Sequence, residues 1–129
     1  MDDPYADEAR ERWGETEPYR QSQARTARYT EADWARIKAA AADLNGRLAA
    51  AMRDGVPADS AAAMDLAEEH RDQLGAYYDC GYDMHRGLGD MYVDDARFTA
   101  TYDAVQPGLA RYLRDAIHAN ADRASRASA

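Results

Sequence analysis

Large aliphatic side chains are scarce in this chain of 129 residues: leucine, isoleucine, valine and phenylalanine together number 13, whereas alanine alone numbers 29. With a formal net charge of -8, such a composition approaches that of disordered proteins. The side chains left to fill a core are mainly nine tyrosines, two tryptophans and the methionines, which are also common in ligand sites. We therefore expect one small domain with a binding pocket, since the length is too short for two domains.

Basic residues are also in the minority, with 16 Lys and Arg against 24 Asp and Glu. Because neutralising phosphates requires clustered cations, we expect no direct contact with nucleic acid. The sequence has no run of about 18 apolar residues and no start typical of a signal peptide, so we expect a cytoplasmic protein without a membrane segment. The one cysteine, Cys80, excludes an intramolecular disulfide and is typical of a reducing compartment.

Helix signals run along the chain, and no segment alternates apolar and polar residues in the manner of a strand. The clearest predicted helix begins after Thr30, in a sequence that resembles a capping box, and continues to Gly55. Ser60 is expected to cap a second helix. Further helices are predicted around 96–105 and 107–120, and the spacing of apolar residues is also helical up to residue 92. The predicted fold class is all-α.

The N-terminal segment 2–33 contains no leucine, isoleucine, valine, methionine or phenylalanine. Its large side chains are Tyr5, Trp13, Tyr19 and Tyr29. They are too few to form a core of their own. Thr16 followed by Pro18 nevertheless predicts the start of a helix. We expect short helices here that need another surface on which to fold.

Unusual residue types concentrate between Tyr77 and Tyr92, where four tyrosines, two methionines, three glycines, the cysteine and a histidine occur together. Glycine in a helix lets a ligand or another backbone approach, and the flanking rings would form apolar walls. This segment is therefore a candidate cleft. The alternative is that Gly87 and Gly89 only admit a crossing helix and that the aromatic residues belong to the core. The residue types leave both interpretations open.

Catalytic or metal-binding roles are weakly supported by the same segment. Its possible metal ligands are Asp79, Cys80, Asp83 and His85. A closed zinc site requires four nitrogen or sulfur ligands, and the other histidines, His70 and His118, lie on separate predicted helices. A cysteine nucleophile would need a positioned base and an oxyanion hole, and the sequence identifies neither. We expect no enzyme activity, metal or cofactor, and we interpret Cys80 as a buried small apolar residue.

Short motifs with specific spacing are spread along the chain from Glu8 to Asn120. They are Glu11-Arg12-Trp13-Gly14, Tyr19-Arg20-Gln21-Ser22, Tyr29-Thr30-Glu31-Ala32-Asp33-Trp34, Tyr78-Asp79-Cys80-Gly81-Tyr82-Asp83-Met84-His85, Leu88-Gly89-Asp90-Met91-Tyr92-Val93, Arg97-Phe98-Thr99 and Pro107-Gly108-Leu109-Ala110. Together and in this order, they resemble the TipAS family of antibiotic-recognition domains. The resemblance covers nearly the whole chain.

This resemblance implies a globin-like helical core and an N-terminal helical lid that is flexible without ligand and folds over a ring-rich, largely apolar antibiotic. It implies binding and sequestration of the drug without catalysis. Members of the family often follow a MerR-type DNA-binding domain, and we expect this chain to be the free-standing form. In thiopeptide-responsive members, a cysteine two residues after the motif histidine adds to a dehydroalanine of the drug. Here Gly87 takes that place, so we expect reversible binding.

The expected ligand-binding residues combine the motifs with side-chain chemistry. They are Trp13 and Tyr19 on the lid, and Tyr77, Tyr78, Asp79, Tyr82, Met84, His85, Met91 and Tyr92 on the core. Aromatic rings would stack on the ligand, and Asp79 or His85 would provide a polar anchor. Which antibiotic is bound does not follow from the sequence.

An alternative function is a protein-interaction or transcription-regulatory module whose cleft takes a helix or peptide from a partner. In either case we expect a monomer. The chain is divided into a lid segment, 1–30, a helical ligand-binding core, 31–121, and a tail, 122–129, that is expected to fray.

Overall fold

The computed structural model describes residues 16–127, which form six α-helices and no strand. In chain order the helices are α1 (Glu17–Thr26), α2 (Glu31–Arg53), α3 (Ala61–Leu74), α4 (Tyr82–Asp94), α5 (Ala96–Asp103) and α6 (Leu109–Ala127). The all-α prediction is therefore confirmed. No helix within 16–127 is both long enough and apolar enough to cross a membrane.

The first three helices begin where the sequence predicted. The hydroxyl oxygens of Thr16, Thr30 and Ser60 each accept a backbone N–H of the following turn. The Asp33 carboxylate also accepts the backbone N–H of Thr30, which completes a capping box. These bonds satisfy donors that have no partner inside the helix. After α2, Gly55 has a φ of 76°, a left-handed conformation that glycine adopts without strain.

The few large aliphatic residues are concentrated where α2 and α6 meet the other helices. α6 is the central element, because it packs against α2, α3, α4 and α5. The largest fully buried apolar side chains are Leu44, Leu48, Leu109, Leu113 and Ile117. Each contributes about 2 kcal/mol by leaving water. Buried alanines, among them Ala63, Ala67 and Ala116, fill the remaining contacts, so the helices pack closely with little aliphatic volume.

Gly89 lies at the point where α4 approaches α6. A Cβ atom on Gly89 would be 3.4 Å from the Arg114 Cα atom and from the Ile117 Cδ1 atom. A Cβ atom there would touch α6 at van der Waals distance, so a side chain larger than that of alanine would require α6 to shift. At Gly87, by contrast, no atom of the described residues beyond the adjoining backbone of α4 lies within 4 Å of the Cβ position. The crossing-helix interpretation is thus confirmed for Gly89 but not for Gly87.

Two helix boundaries differ from the sequence-based expectation. α5 ends at Asp103, slightly before the predicted end, and α6 continues beyond Asn120 to Ala127. Asn120 is buried, and its Oδ1 atom accepts an N–H of Arg123 at 2.6 Å. Arg123 also pairs with Asp65 of α3 at 2.9 Å. These contacts with the core hold the extra turns of α6, and composition alone did not indicate them.

Candidate functional site

A cleft of about 360 Å³ opens between α2 and the C-terminal end of α3. This volume is at the lower end of the range for small-molecule sites. Its lining residues are Arg36, Ile37, Ala40, Ala41, Asn45, His70, Asp72, Gln73, Leu74, Ala76, Tyr77, Tyr92 and Tyr102. Aliphatic and aromatic side chains form most of the wall, so the cleft fits an apolar, ring-bearing ligand.

The floor of the cleft, which we define as His70, Tyr92 and Tyr102, is aromatic and largely buried. The Tyr92 and Tyr102 ring centroids are 4.9 Å apart, and the Tyr92 ring meets the His70 ring edge-on at 5.9 Å. Burial raises the pKa of Tyr102, and it raises that of Tyr92 well above its ordinary value. Both hydroxyl groups are therefore neutral at physiological pH.

Beneath this floor, a second buried histidine, His85, pairs with His70. The Nδ1 atom of His70 is 2.9 Å from the Nε2 atom of His85, and the other nitrogen of His70 is 3.4 Å from the Tyr102 hydroxyl oxygen. The two rings are inclined by only 18° with centroids 5.2 Å apart, as expected for rings joined in plane by a hydrogen bond. Burial lowers the pKa of His70 to about 4, and burial together with His70 lowers that of His85 to about 3.

Behind the histidines, a polar network centred on Glu68 connects α3 to α4 and α6. The carboxylate accepts hydrogen bonds from Arg71 at 2.5 Å, from the Tyr82 hydroxyl at 2.8 Å and from Asn120 at 3.0 Å. Burial acts to raise the pKa of Glu68, but the bonds from these three donors outweigh it and lower the pKa to about 2. Arg71 also donates to the Cys80 carbonyl at 2.7 Å. The network positions the segment between α3 and α4.

Helix α1 rests on that same segment through polar contacts. Arg25 donates to the Gly75 carbonyl at 2.9 Å and to the Asp79 carboxylate at 2.6 Å. The side-chain oxygen of Gln21 accepts the backbone N–H of Asp79 at 2.7 Å, and the Tyr29 hydroxyl donates to the Ala76 carbonyl. No residue of α1 is buried. The helix is therefore attached to the core chiefly by hydrogen bonds and one ion pair.

Comparison with known proteins identifies the family. A sequence model of the TipAS antibiotic-recognition domain matches residues 5–120. The chain belongs to the TipAS family. The HTH-type transcriptional activator TipA of Streptomyces coelicolor is 57% identical over 122 residues, which are 94% of this chain and 48% of that protein. The HTH-type transcriptional activator mta of Bacillus subtilis is 39% identical over 114 residues, 88% of this chain and 43% of that protein. The chain thus spans about half the length of these curated relatives.

Two solved structures are similar to this TipAS domain. One is TipAS from Streptomyces lividans in complex with nosiheptide, part of a thiopeptide antibiotic multidrug resistance system. It matches with a TM-score of 0.89 at 55% identity, covering 96% of this chain and 89% of that chain. The other is the antibiotic binding domain of a TipA-class multidrug resistance transcriptional regulator, with a TM-score of 0.65 at 55% identity, covering 70% of this chain and 97% of that chain. The first match extends far enough to include α1.

Of the predicted binding residues of this TipAS domain, the structure places two in the wall of the cleft and the other described ones outside it. Tyr77 and Tyr92 line the cleft, and His85 lies beneath its floor, bonded to His70. The predicted residues that do not line the cleft are Tyr19, Tyr78, Asp79, Tyr82, Met84 and Met91. Trp13 lies outside the described residues. The Tyr82 hydroxyl belongs to the Glu68 network and Asp79 holds α1, and a direct ligand contact for any of these residues stays a prediction.

Sequence reasoning did not propose His70, Tyr102 or the α2 residues as part of the site. For α2, the signal was present, since Ile37 and Ala41 are four positions apart on one helical face. Tyr102 lies 32 positions after His70 in a different predicted helix. Their proximity follows from how α3 and α5 each pack against α6, which neither residue's neighbours in the sequence indicate.

Removing the Asp79 carboxylate is expected to loosen α1 without unfolding the core. In Asp79→Ala, Arg25 and Gln21 lose their shared side-chain partner, and α1 has no buried residue to hold it in place. We expect amide hydrogen exchange in 17–26 to become several-fold faster while exchange in α6 is unchanged. The matched control is Asp83→Ala, because Asp83 is exposed and makes only a 4.0 Å ion pair with Arg86. Equal amide exchange rates in 17–26 of both variants would show that the Asp79 carboxylate does not hold α1 in place.

Proposed function

We propose that this TipAS domain binds a ring-rich, largely apolar antibiotic of the thiopeptide class in the cleft between α2 and α3. The observation that carries the proposal is the cleft itself, whose aliphatic walls and tyrosine floor suit stacked heterocycles. The family adds support, since a 55% identical member has been solved with nosiheptide bound. By sequestering the drug or by reporting its presence, the domain would serve resistance.

We infer that binding is reversible and involves no chemical turnover. The family's reactive cysteine is replaced by Gly87, and the Cys80 side chain is buried, which raises the pKa of its thiol. A thiol in that state is a poor nucleophile. Within 16–127, no group of three or more candidate side chains could hold a metal ion. The buried state of the Cys80 thiol therefore favours binding without a covalent bond.

We also infer that the N-terminal segment, 1–30, acts as the lid over the core. The rings of Tyr29 and Trp34 pack edge to face, with their centroids 5.5 Å apart. The Trp34 ring centroid lies 6.2 Å from that of Tyr77, a residue of the cleft wall. These rings form a continuous aromatic path from the end of α1 to the cleft. A drug that contacts Tyr77 would therefore change the surface on which the lid rests.

The competing function, a docking module for a partner helix, has less support. Among the described residues, one large hydrophobic residue is exposed, Val105, with 46% of its surface accessible to solvent. Outside the cleft, a single exposed valine does not make the apolar face that helix docking requires. The monomeric state and the cytoplasmic location stay predictions.

Titration with nosiheptide tests the proposed function. Because Trp34 neighbours Tyr77, drug binding in the cleft should change tryptophan fluorescence saturably, with one drug per chain. Denaturing mass spectrometry of the saturated sample should then return the unmodified 14.3 kDa chain. A signal that never saturates would argue against a thiopeptide ligand. A stoichiometric adduct that survives denaturation would instead contradict reversible binding.

A further inference from the structure

The hydrogen-bond chain under the cleft ends at an atom without a partner. His85 is fully buried, and its Nδ1 atom has no hydrogen-bond partner among the described residues. Its Nε2 atom is the one that meets His70. Because burial keeps both rings neutral, each ring carries a single N–H. The position of one proton, between His70 and His85, therefore determines which group donates in each hydrogen bond from His85 to Tyr102.

Two arrangements of these protons are possible. In the first, His70 donates from Nδ1 to His85, and His85 must then carry its own N–H at the buried Nδ1 atom, where no acceptor is present. In the second, His85 donates from Nε2 to His70, and its Nδ1 is a bare lone pair. An unpaired N–H is the rarer defect in protein interiors. The second arrangement also uses the tautomer that free histidine prefers in water.

The second arrangement determines what Tyr102 does. With Nδ1 of His70 acting as acceptor, its proton lies on Nε2, which points to the Tyr102 oxygen at 3.4 Å. Among the described residues, His70 is the hydrogen-bond partner of the Tyr102 hydroxyl. Since the Tyr102 oxygen accepts this bond, its own hydrogen is not used by any of them. The remaining group is the Tyr102 hydrogen, on a residue that lines the cleft.

We propose that the chain from His85 through His70 orients the Tyr102 hydroxyl as a hydrogen-bond donor into the cleft, where it selects ligands that carry an acceptor such as a heteroaromatic ring nitrogen. Tyr102 is then a specificity-determining residue, and His70 and His85 are positioning residues. This inference rests on the proposed function. The apolar walls accept any flat ring, whereas a ring without an acceptor would leave the hydroxyl unpaired and shielded from water.

Deleting the hydroxyl tests the ligand contact. Tyr102→Phe is expected to bind nosiheptide about tenfold more weakly than the natural chain, the usual effect of losing one hydrogen bond in a binding site. The matched control is Tyr112→Phe, which removes a hydroxyl that donates to the Val56 carbonyl at 2.8 Å and does not line the cleft. Affinity in this control should be unchanged. Undiminished affinity in Tyr102→Phe, or an equal loss in both variants, would overturn the proposal.

Long-range proton–nitrogen NMR of the histidine rings tests the direction of the chain and needs no drug. We expect both His70 and His85 to carry their proton on Nε2, with Nδ1 unprotonated. A proton on Nδ1 of His70 would make His70 the donor to His85 and would overturn the proposal. If the natural chain does not bind nosiheptide, the proposed function fails for that drug, whereas the tautomers still decide how Tyr102 is oriented.

Discussion

Acidification from pH 7 to pH 5 is expected to destabilise the folded domain by several kcal/mol through His70 and His85. Burial lowers their pKa values from 6.5 to about 4 and about 3 in the folded state. In the unfolded chain both are ordinary, so below pH 6.5 the unfolded state binds more protons. The stabilisation is complete above about pH 6.5 and is lost progressively as the pH falls. At pH 5 the loss is on the order of 2 kcal/mol for each histidine.

Urea denaturation at several pH values between 7.5 and 5 measures this loss. Glu68 titrates below this range, because its pKa is about 2 when folded and ordinary when unfolded. In His85→Gln, which removes one of the two titrating rings, the dependence on pH should be about half as steep. The control is His118→Asn, since His118 is partly exposed and pairs with Asp90 outside the buried pair. A free energy of unfolding that stays constant from pH 7 to pH 5 would show that the histidines are not buried as described.

A tryptophan placed in the cleft is expected to weaken nosiheptide binding by about 100-fold or more, because its ring occupies the space that the drug requires. Ala40 is suited to this test, since it lines the cleft although it is an exposed residue of α2. Ala40→Trp should therefore fold normally, at a helix-propensity cost below about 1 kcal/mol. Affinity can be measured by isothermal titration calorimetry with nosiheptide.

The matched control is Ala42→Trp on the same helix. Ala42 is exposed and does not line the cleft, so the same added ring should leave affinity unchanged. Normal binding by Ala40→Trp would place the drug site elsewhere. If Ala42→Trp weakened binding to the same degree, the effect would belong to α2 as a whole and not to the cleft.

Much of the fold could be predicted from the sequence because helix starts are local events. Thr30 and Asp33 are three positions apart, and the capping box between them forms wherever that segment is helical. The end of α6 could not be predicted in the same way. Beyond Asn120 the sequence is Ala, Ser and Arg with one Asp, and the helix continues because Arg123 reaches Asp65 on another helix.

The site was predictable only in part. Tyr77 and Tyr92 were identified from an aromatic-rich segment, and both line the cleft. The sequence also drew attention to His85, but as a polar anchor for ligand, whereas the structure places it beneath the floor with His70 as its partner. Residue types indicate what a side chain can do. They do not indicate which side chains face the same space.

The sequence by itself determined the all-α class, the starts of the first three helices and membership of a family, because each depends on residues within a few positions of one another or on the order of motifs. Tertiary structure decided which aromatic residues form the cleft and which hold the core. α6 is the helix against which α2, α3, α4 and α5 all pack, and this packing sets the distances between them. His70, His85 and Tyr102 become one hydrogen-bonded chain for that reason, although they are distant in the sequence.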